Sequence, residues 1–222
     1  MNDEIQRLVF ERALAFFGCM TAGVSHELKN ALSIVNELGG LMEDLLLEAE
    51  KGRDISHPQL ARIAEGIARQ VQRSDDHIKR LHHFSHNADD FQASAPLDVV
   101  VDEIVVLCRR LADLKRVRLA VEHRGDGAFS VSPVFLWQHA VYECICLALA
   151  EAGDGDSVTV SLSNTGTAPR VRIAGSQPVA REAIERKMPL LLALMEQLGC
   201  SLDIDNDSGV TFTLAPAVAG PS

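Results

Sequence analysis

The sequence predicts an α+β protein in two parts. An N-terminal antiparallel helical hairpin dimerises into a four-helix bundle, and an α/β sandwich follows it. Three observations lead there. Apolar or small residues recur at Phe10, Leu14, Phe17, Thr21, Val24, Leu28, Ala31, Val35, Leu38, Met42 and Leu45, in unbroken steps of four and three. That spacing is the a/d seam of a helical bundle. A second helical stripe follows after a short turn. Beyond a polar break the period changes to short alternating strands interspersed with helices.

The first helix spans Asp3 to about Glu50, with Gly39-Gly40 as an expected soft point, since each glycine costs roughly 1 kcal/mol relative to alanine inside a helix. Gly52, Asp54, Ser56, His57 and Pro58 make the turn, with Ser56 or His57 near the cap and Pro58 at the first helical position. The second helix runs to about His86, with Leu60, Ile63, Ile67, Val71, Ile78, Leu81 and Phe84 on its apolar side. Two helices joined this way form an antiparallel hairpin. One hairpin leaves part of its seam uncovered, so a homodimer is expected. Asn87 to Pro96 is polar and helix-breaking, which sets a hairpin domain at residues 1–88 and a sandwich domain at residues 96–216.

In the second domain the pattern predicts a helix over Asp98–Asp113, a strand over Val117–Glu122 and a helix over Val134–Ala152 after Pro133. Strands follow at Ser157–Ser163 and Arg170–Ala174, then a helix at about Val179–Leu198. Closing strands fit Ser201–Ile204 and Val210–Leu214, turning through Asn206-Asp207-Ser208-Gly209. The sheet is expected to be mostly antiparallel, with helices on one face. Ala217 to Ser222 reads as a tail.

Bulk properties narrow the function. The chain has 222 residues, 47% hydrophobic, with a formal net charge of −10 and a pI near 5.2. An acidic balance argues against nucleic acid as a general partner and suits a cytoplasmic protein. Cys19, Cys108, Cys144, Cys146 and Cys200 are odd in number and scattered, so they read as small core residues in a reducing compartment. No signal peptide is expected, and no apolar run approaches the ~20 residues of a membrane span.

The chemistry concentrates at Ser25-His26-Glu27-Leu28-Lys29-Asn30. Counted from the seam, His26 falls at an f position, two residues after a d and two before an a, and faces water. An exposed helical histidine alone is ordinary surface; its neighbours change that. A hairpin with His-Glu-Leu-Lys-Asn on its first helix, followed by this order of strands and helices, resembles the catalytic core of a bacterial sensor histidine kinase. His26 to Asn30 is similar to the H-box and Arg62 to Ser85 to the second dimerisation helix. Asp98 to Ile104 resembles the start of the ATP-binding domain. Gly199 to Ile204 and Gly209 to Leu214 resemble its closing hairpin.

The nucleotide motifs that the resemblance implies are missing. The Mg²⁺-chelating asparagine corresponds to Cys146 or Leu147, and no asparagine occurs between Asn87 and Asn164. Neither thiol nor isobutyl suits a hard, oxygen-seeking cation. The adenine-reading Asp-x-Gly-x-Gly appears as Ile173-Ala174-Gly175-Ser176-Gln177-Pro178. The glycine-rich phosphate loop appears as Met188-Pro189-Leu190-Leu191-Leu192, where leucines block close approach of backbone amides to a phosphate.

A phosphorylatable histidine without a nucleotide site is closest in character to the kinase-fold histidine phosphotransferases of phosphorelays. The resemblance implies His26 as nucleophile and Glu27 as acceptor of a hydrogen bond from its imidazole, favouring the attacking tautomer. Lys29 is expected to neutralise the moving phosphoryl group, and Asn30, one turn on, to orient water for dephosphorylating a receiver. Ala31 stands where the family commonly has proline. The chain itself is expected to bind no cofactor, Mg²⁺ coming from the receiver's acidic site. Expected partners are response-regulator receiver domains, a hybrid histidine kinase and a second copy of the chain. Two alternatives stand beside this: a sensor kinase with an atypical nucleotide site, and a scaffold or anti-kinase. His82, His83 and His86 include an i,i+4 pair but no third metal ligand, and read as the polar end of the second helix.

Overall fold

A computed structural model describes residues 3–125, 129–163, 169–207 and 209–216. The tail Ala217–Ser222, Ser208 of the last turn and the side chain of Pro216 lie outside the described residues. Helix α1 (Asp3–Glu50) runs unbroken through Gly39-Gly40, so the expected soft point is ordinary helix. Helix α2 spans His57–Asp89. Its start is a Ser-x-x-Gln box: Gln59 Oε1 accepts from the Ser56 hydroxyl at 2.8 Å and from the Ser56 backbone N–H at 3.4 Å.

The chain divides into two compact units. One comprises Met20–Ser85; the other comprises the chain up to Cys19 together with His86 onward. Within the first, α1 and α2 pair in antiparallel register. Glu27 meets His77, and Leu38, further along α1, meets Gly66, equally far back along α2. A Cβ at Gly66 would lie 2.8 Å from Leu38 Cδ1, so the Leu38 side chain packs into the space the glycine leaves and would have to shift for a larger residue. Val24, Ala31 and Ile63 are buried on this seam.

In the second unit a five-stranded sheet has the order β2 (Arg118–Arg124), β4 (Ser157–Ser163), β5 (Arg170–Gly175), β7 (Thr211–Pro216), β6 (Cys200–Asp205). The β2–β4 pair is parallel and the remaining pairs are antiparallel, as expected. A two-residue ladder of β1 (Ala95–Pro96) and β3 (Ser130–Val131) is too short to leave a sequence pattern. Helices α3 (Leu97–Leu114), α4 (Val134–Ala150) and α5 (Arg181–Leu198) complete the unit. Alternate residues Val158, Val160, Leu162, Val171, Ile173, Phe212 and Leu214 are fully buried, giving the sheet one apolar face. Helix α4 is buried almost all round, as its uniformly apolar sequence requires.

The sequence places the hairpin domain at residues 1–88, but the first turns of α1 group with the sandwich. Phe16, fully buried, stacks on His139 of α4 with ring centroids 5.0 Å apart and an interplanar angle of 3°. It also touches Phe135 and Tyr142, with centroids at 5.4 and 4.6 Å. Arg12 Nη2 reaches Glu143 Oε1 at 3.4 Å, Lys187 of α5 donates to Glu143 Oε2, and His139 Nε2 lies 3.5 Å from Oε1. The a/d seam marks the wrong face for these turns: Phe10 and Leu14 are exposed, while Val9, Phe16 and Met20 are buried.

All five cysteines are free thiols. Burial pushes the Cys146 thiol up to about 12 and the Cys200 thiol up to about 11. Helix α1 also contains an 18-residue window of mean hydropathy 1.3, sufficient by length and composition to cross a membrane. Looking for an uninterrupted apolar run misses it, because small and polar residues punctuate the seam.

The Glu143 cluster has a measurable signature. Burial alone would raise the Glu143 pKa, but the adjacent His139 ring, the hydrogen bond from Lys187 and the charges of Lys187 and Arg12 bring it below its ordinary 4.5. The folded state therefore holds this proton less tightly than the unfolded chain. The stabilisation is present in full above about pH 4.5 and is lost as pH falls through the lower folded value. Glu143→Ala is expected to cost about 3 kcal/mol in urea unfolding at pH 7, because it strands the Lys187 charge. Glu143→Gln should flatten the acid limb of stability below pH 4.5. An unchanged acid limb would show that Glu143 does not set it.

Candidate functional site

His26 stands exposed on α1, with Lys29 and Asn30 also exposed. Asn30 follows His26 by one turn, so the two share a face. The Ser25 hydroxyl donates to the Thr21 carbonyl at 2.8 Å and the Ser33 hydroxyl to the Lys29 carbonyl at 3.0 Å. Both hydroxyls are folded back on the helix, and the His26 imidazole faces outward beside exposed Lys29 and Asn30.

Glu27 does something the sequence does not anticipate. Its side chain is one quarter exposed and turns toward α2, where Oε2 accepts a hydrogen bond from His77 Nδ1 at 2.8 Å. The expected hydrogen bond from the His26 imidazole to Glu27 is therefore replaced by one from His77. The reason is register: His26 is at f, but Glu27 is at g, beside the seam and within reach of the opposite helix. His77 is buried, and Arg73 Nε lies 3.5 Å from its Nε2. Proton on Nδ1 and lone pair on Nε2 is the tautomer that satisfies both neighbours.

His77 and Arg73 were not singled out from the sequence, although a signal exists. Four-and-three steps from Ile63 land on Ile67, Gln70, Ser74, His77, Leu81 and Phe84. Every one of these is buried or half-buried, whereas Val71 and Ile78, expected on the apolar side, are 56% and 53% exposed. The expected stripe is right at Ile63, Ile67, Leu81 and Phe84, but in its middle strict spacing, not apolar character, marks the seam. The true seam carries three polar side chains opposite the segment that holds His26.

In the sandwich, the residues that the resemblance matches to a nucleotide site have other tasks. Cys146 lines a 180 Å³ cavity with Leu147 and Ala150 of α4 and Ala183, Arg186 and Lys187 of α5. Gly175, the last residue of β5, is closely packed: a Cβ there would lie 3.0 Å from Val210 Cγ1 and 3.3 Å from Ala148 Cβ. Met188 to Leu192 falls inside α5, with Leu190 and Leu191 buried in the core. Residues 176–180 bridge β5 to α5 directly and are fastened at both ends. Asp156 accepts from Ser176 Oγ at 3.0 Å and Gln177 Nε2 at 2.9 Å, and Val179 N donates to Asn206 Oδ1 at 2.8 Å. Among the described residues no group of three or more His, Cys, Asp or Glu is arranged to hold a metal ion.

No protein-family model matches the chain, and no curated protein matches it. Among solved structures it is similar to histidine kinase ThkA in complex with the response regulator TrrA, at 17% identity and TM-score 0.49, over 96% of this chain and 65% of that one. It is similar to the histidine kinase AdeS of Acinetobacter baumannii at 14% identity and TM-score 0.49, over 88% and 98%. A bacterial phosphotransferase is similar at 11% identity and TM-score 0.46, over 90% and 96%. At these levels the assignment of function stands on the chain's own residues.

Proposed function

We propose that this chain is a cytoplasmic histidine phosphotransferase of a two-component phosphorelay, carrying a phosphoryl group on His26 between the aspartates of receiver domains. One conjunction supports it: a solvent-facing His26 on a rigid hairpin helix, joined to a sandwich whose phosphate-loop segment is core helix. In transfer, the unprotonated imidazole nitrogen attacks the phosphorus of an aspartyl phosphate. The N–P bond forms as the P–O bond to the aspartate breaks, and the carboxylate leaves with its electron pair. The protonated ring nitrogen then releases its proton to water. Transfer onward reverses these bonds at a second aspartate, with Mg²⁺ held in the receiver's own acidic site. Lys29 lies within the exposed face a receiver would cover, where its charge offsets that of the phosphoryl group. Asn30, exposed one turn after His26, is the residue of this reading that orients a water for dephosphorylation.

The second copy needed to close a four-helix bundle is drawn by apolar side chains the hairpin does not cover. Leu32 is 59% and Leu41 49% exposed on α1, at e and g positions flanking the seam. The a/d residues Leu28 and Val35 are half-buried, so the e and g stripes are where a partner would pack.

Labelling separates the candidate functions. The protein is incubated with Mg-ATP alone and, separately, with phosphorylated receiver domains, and label on His26 is followed. Label from receivers alone is expected; label from ATP alone would establish a kinase, and no label from either a scaffold. His26→Ala should abolish labelling and leave unfolding free energy within about 0.5 kcal/mol of wild type, as for an exposed site. Calorimetry with Mg-ATP should show no micromolar binding. Leu32→Glu combined with Leu41→Glu should convert the dimer to monomer by light scattering; a monomeric wild type would refute the bundle.

A further inference from the structure

We infer that His77 is a positioning residue for phosphoryl transfer at His26, acting by holding the Glu27 carboxylate toward α2 and away from the incoming phosphoryl group. The inference rests on the reading of His26 as phosphoryl carrier. Glu27 adjoins His26 in sequence, and phosphorylation of His26 adds negative charge beside an existing carboxylate. Like charges on neighbouring side chains repel, more strongly in a site partly shielded from water by a docked receiver. A glutamate left free on the helix surface has rotamers that bring its carboxylate beside His26. His77 removes that option: its Nδ1–H holds Oε2 at 2.8 Å, from a side chain that is 11% exposed on the α2 seam.

The seam geometry makes the clamp specific. A seam position opposite a g residue ordinarily takes an apolar side chain, and a buried imidazole there is unfavourable unless both ring nitrogens are served. Glu27 serves Nδ1, and Arg73 Nε approaches Nε2 at 3.5 Å from the preceding turn. Arg73 thereby disfavours the tautomer with the proton on Nε2, which could not donate to Glu27. The nearby acids Asp75 and Asp76 are engaged with Lys79 and Gln72 on α2 itself. The three-residue chain Arg73–His77–Glu27 ends on the residue next to His26 in sequence, with its carboxylate turned to α2.

Three variants and one spectrum test this. Uptake of phosphoryl from a phosphorylated receiver should slow about tenfold in His77→Leu, within the coupling range of residues in contact. His77→Asn, whose amide places a donor where Nδ1 stood, should recover to within about threefold of wild type by the same measure. His77→Leu combined with Glu27→Gln should also recover, because no carboxylate is left to repel the phosphoryl group; a purely structural role for His77 predicts no such rescue. Circular dichroism and light scattering confirm that each variant is folded and keeps the wild-type oligomeric state. Independently, ¹⁵N NMR of the histidine rings should find the His77 proton on Nδ1, with a shift in Glu27→Gln larger than that of His26. A His77→Leu protein as fast as wild type, a His77→Asn protein as slow as His77→Leu, or a proton on Nε2 would overturn the inference alone. A wild type that takes no phosphoryl group from any receiver would overturn the phosphotransferase reading, and the inference with it.

Discussion

The register between α1 and α2 is the constraint on which the helical hairpin depends. Three consecutive residues on α1 meet three environments because each step turns the helix by about 100°. His26 faces water, Glu27 reaches sideways to His77, and Leu28 enters the seam. Sliding α2 by one residue would separate Glu27 from His77 and bring a Cβ-bearing residue against Leu38 in place of Gly66. Packing and chemistry are thus set by one alignment. The polar seam residues Gln70, Ser74 and His77 give up some hydrophobic stabilisation; Ser74 bonds back to the Gln70 carbonyl on its own helix, and His77 reaches across to Glu27 on α1.

A second organising centre lies in the sandwich. Glu143 is buried in the middle of α4, where an unpaired carboxylate would be intolerable. Lys187 from α5 and Arg12 from the first turns of α1 supply two cations, and His139 stacks between Phe16 and the helix it belongs to. Two elements are thereby fastened to α4 at once. Lys187 sits just before the segment Met188–Leu192, so the residue that anchors α5 directly precedes the stretch that a nucleotide site would need as an open loop. Leucines in the core and a lysine tied to Glu143 make that stretch a structural helix. The fastened link at residues 176–180 acts in the same direction, leaving a short connection between β5 and α5.

Sequence alone determined the two-part architecture, the extent of α1, the exposure of His26 and most strand and helix limits, because these follow from local periodicity; that α1 runs straight through Gly39-Gly40 is visible only in the structure. A period of 3.6 or 2 is written into neighbouring residues and survives any tertiary arrangement compatible with burial. The segment Ser157–Ser163 illustrates it: alternation predicts the strand, and every second residue is buried. Tertiary structure decided what periodicity cannot carry. The partner of Glu27 depends on which residue of a different helix comes opposite, so His77 rather than His26 takes the hydrogen bond. The burial of Phe16 instead of Phe10 depends on what packs against the first turns of α1, and a seam drawn from one helix contains no record of α4. Gly175 and Gly66 look like loop or flexibility signals in one dimension; each is small because another backbone or side chain comes within contact distance. Local spacing tells which way a side chain points, but only the assembled fold puts a second residue at the other end.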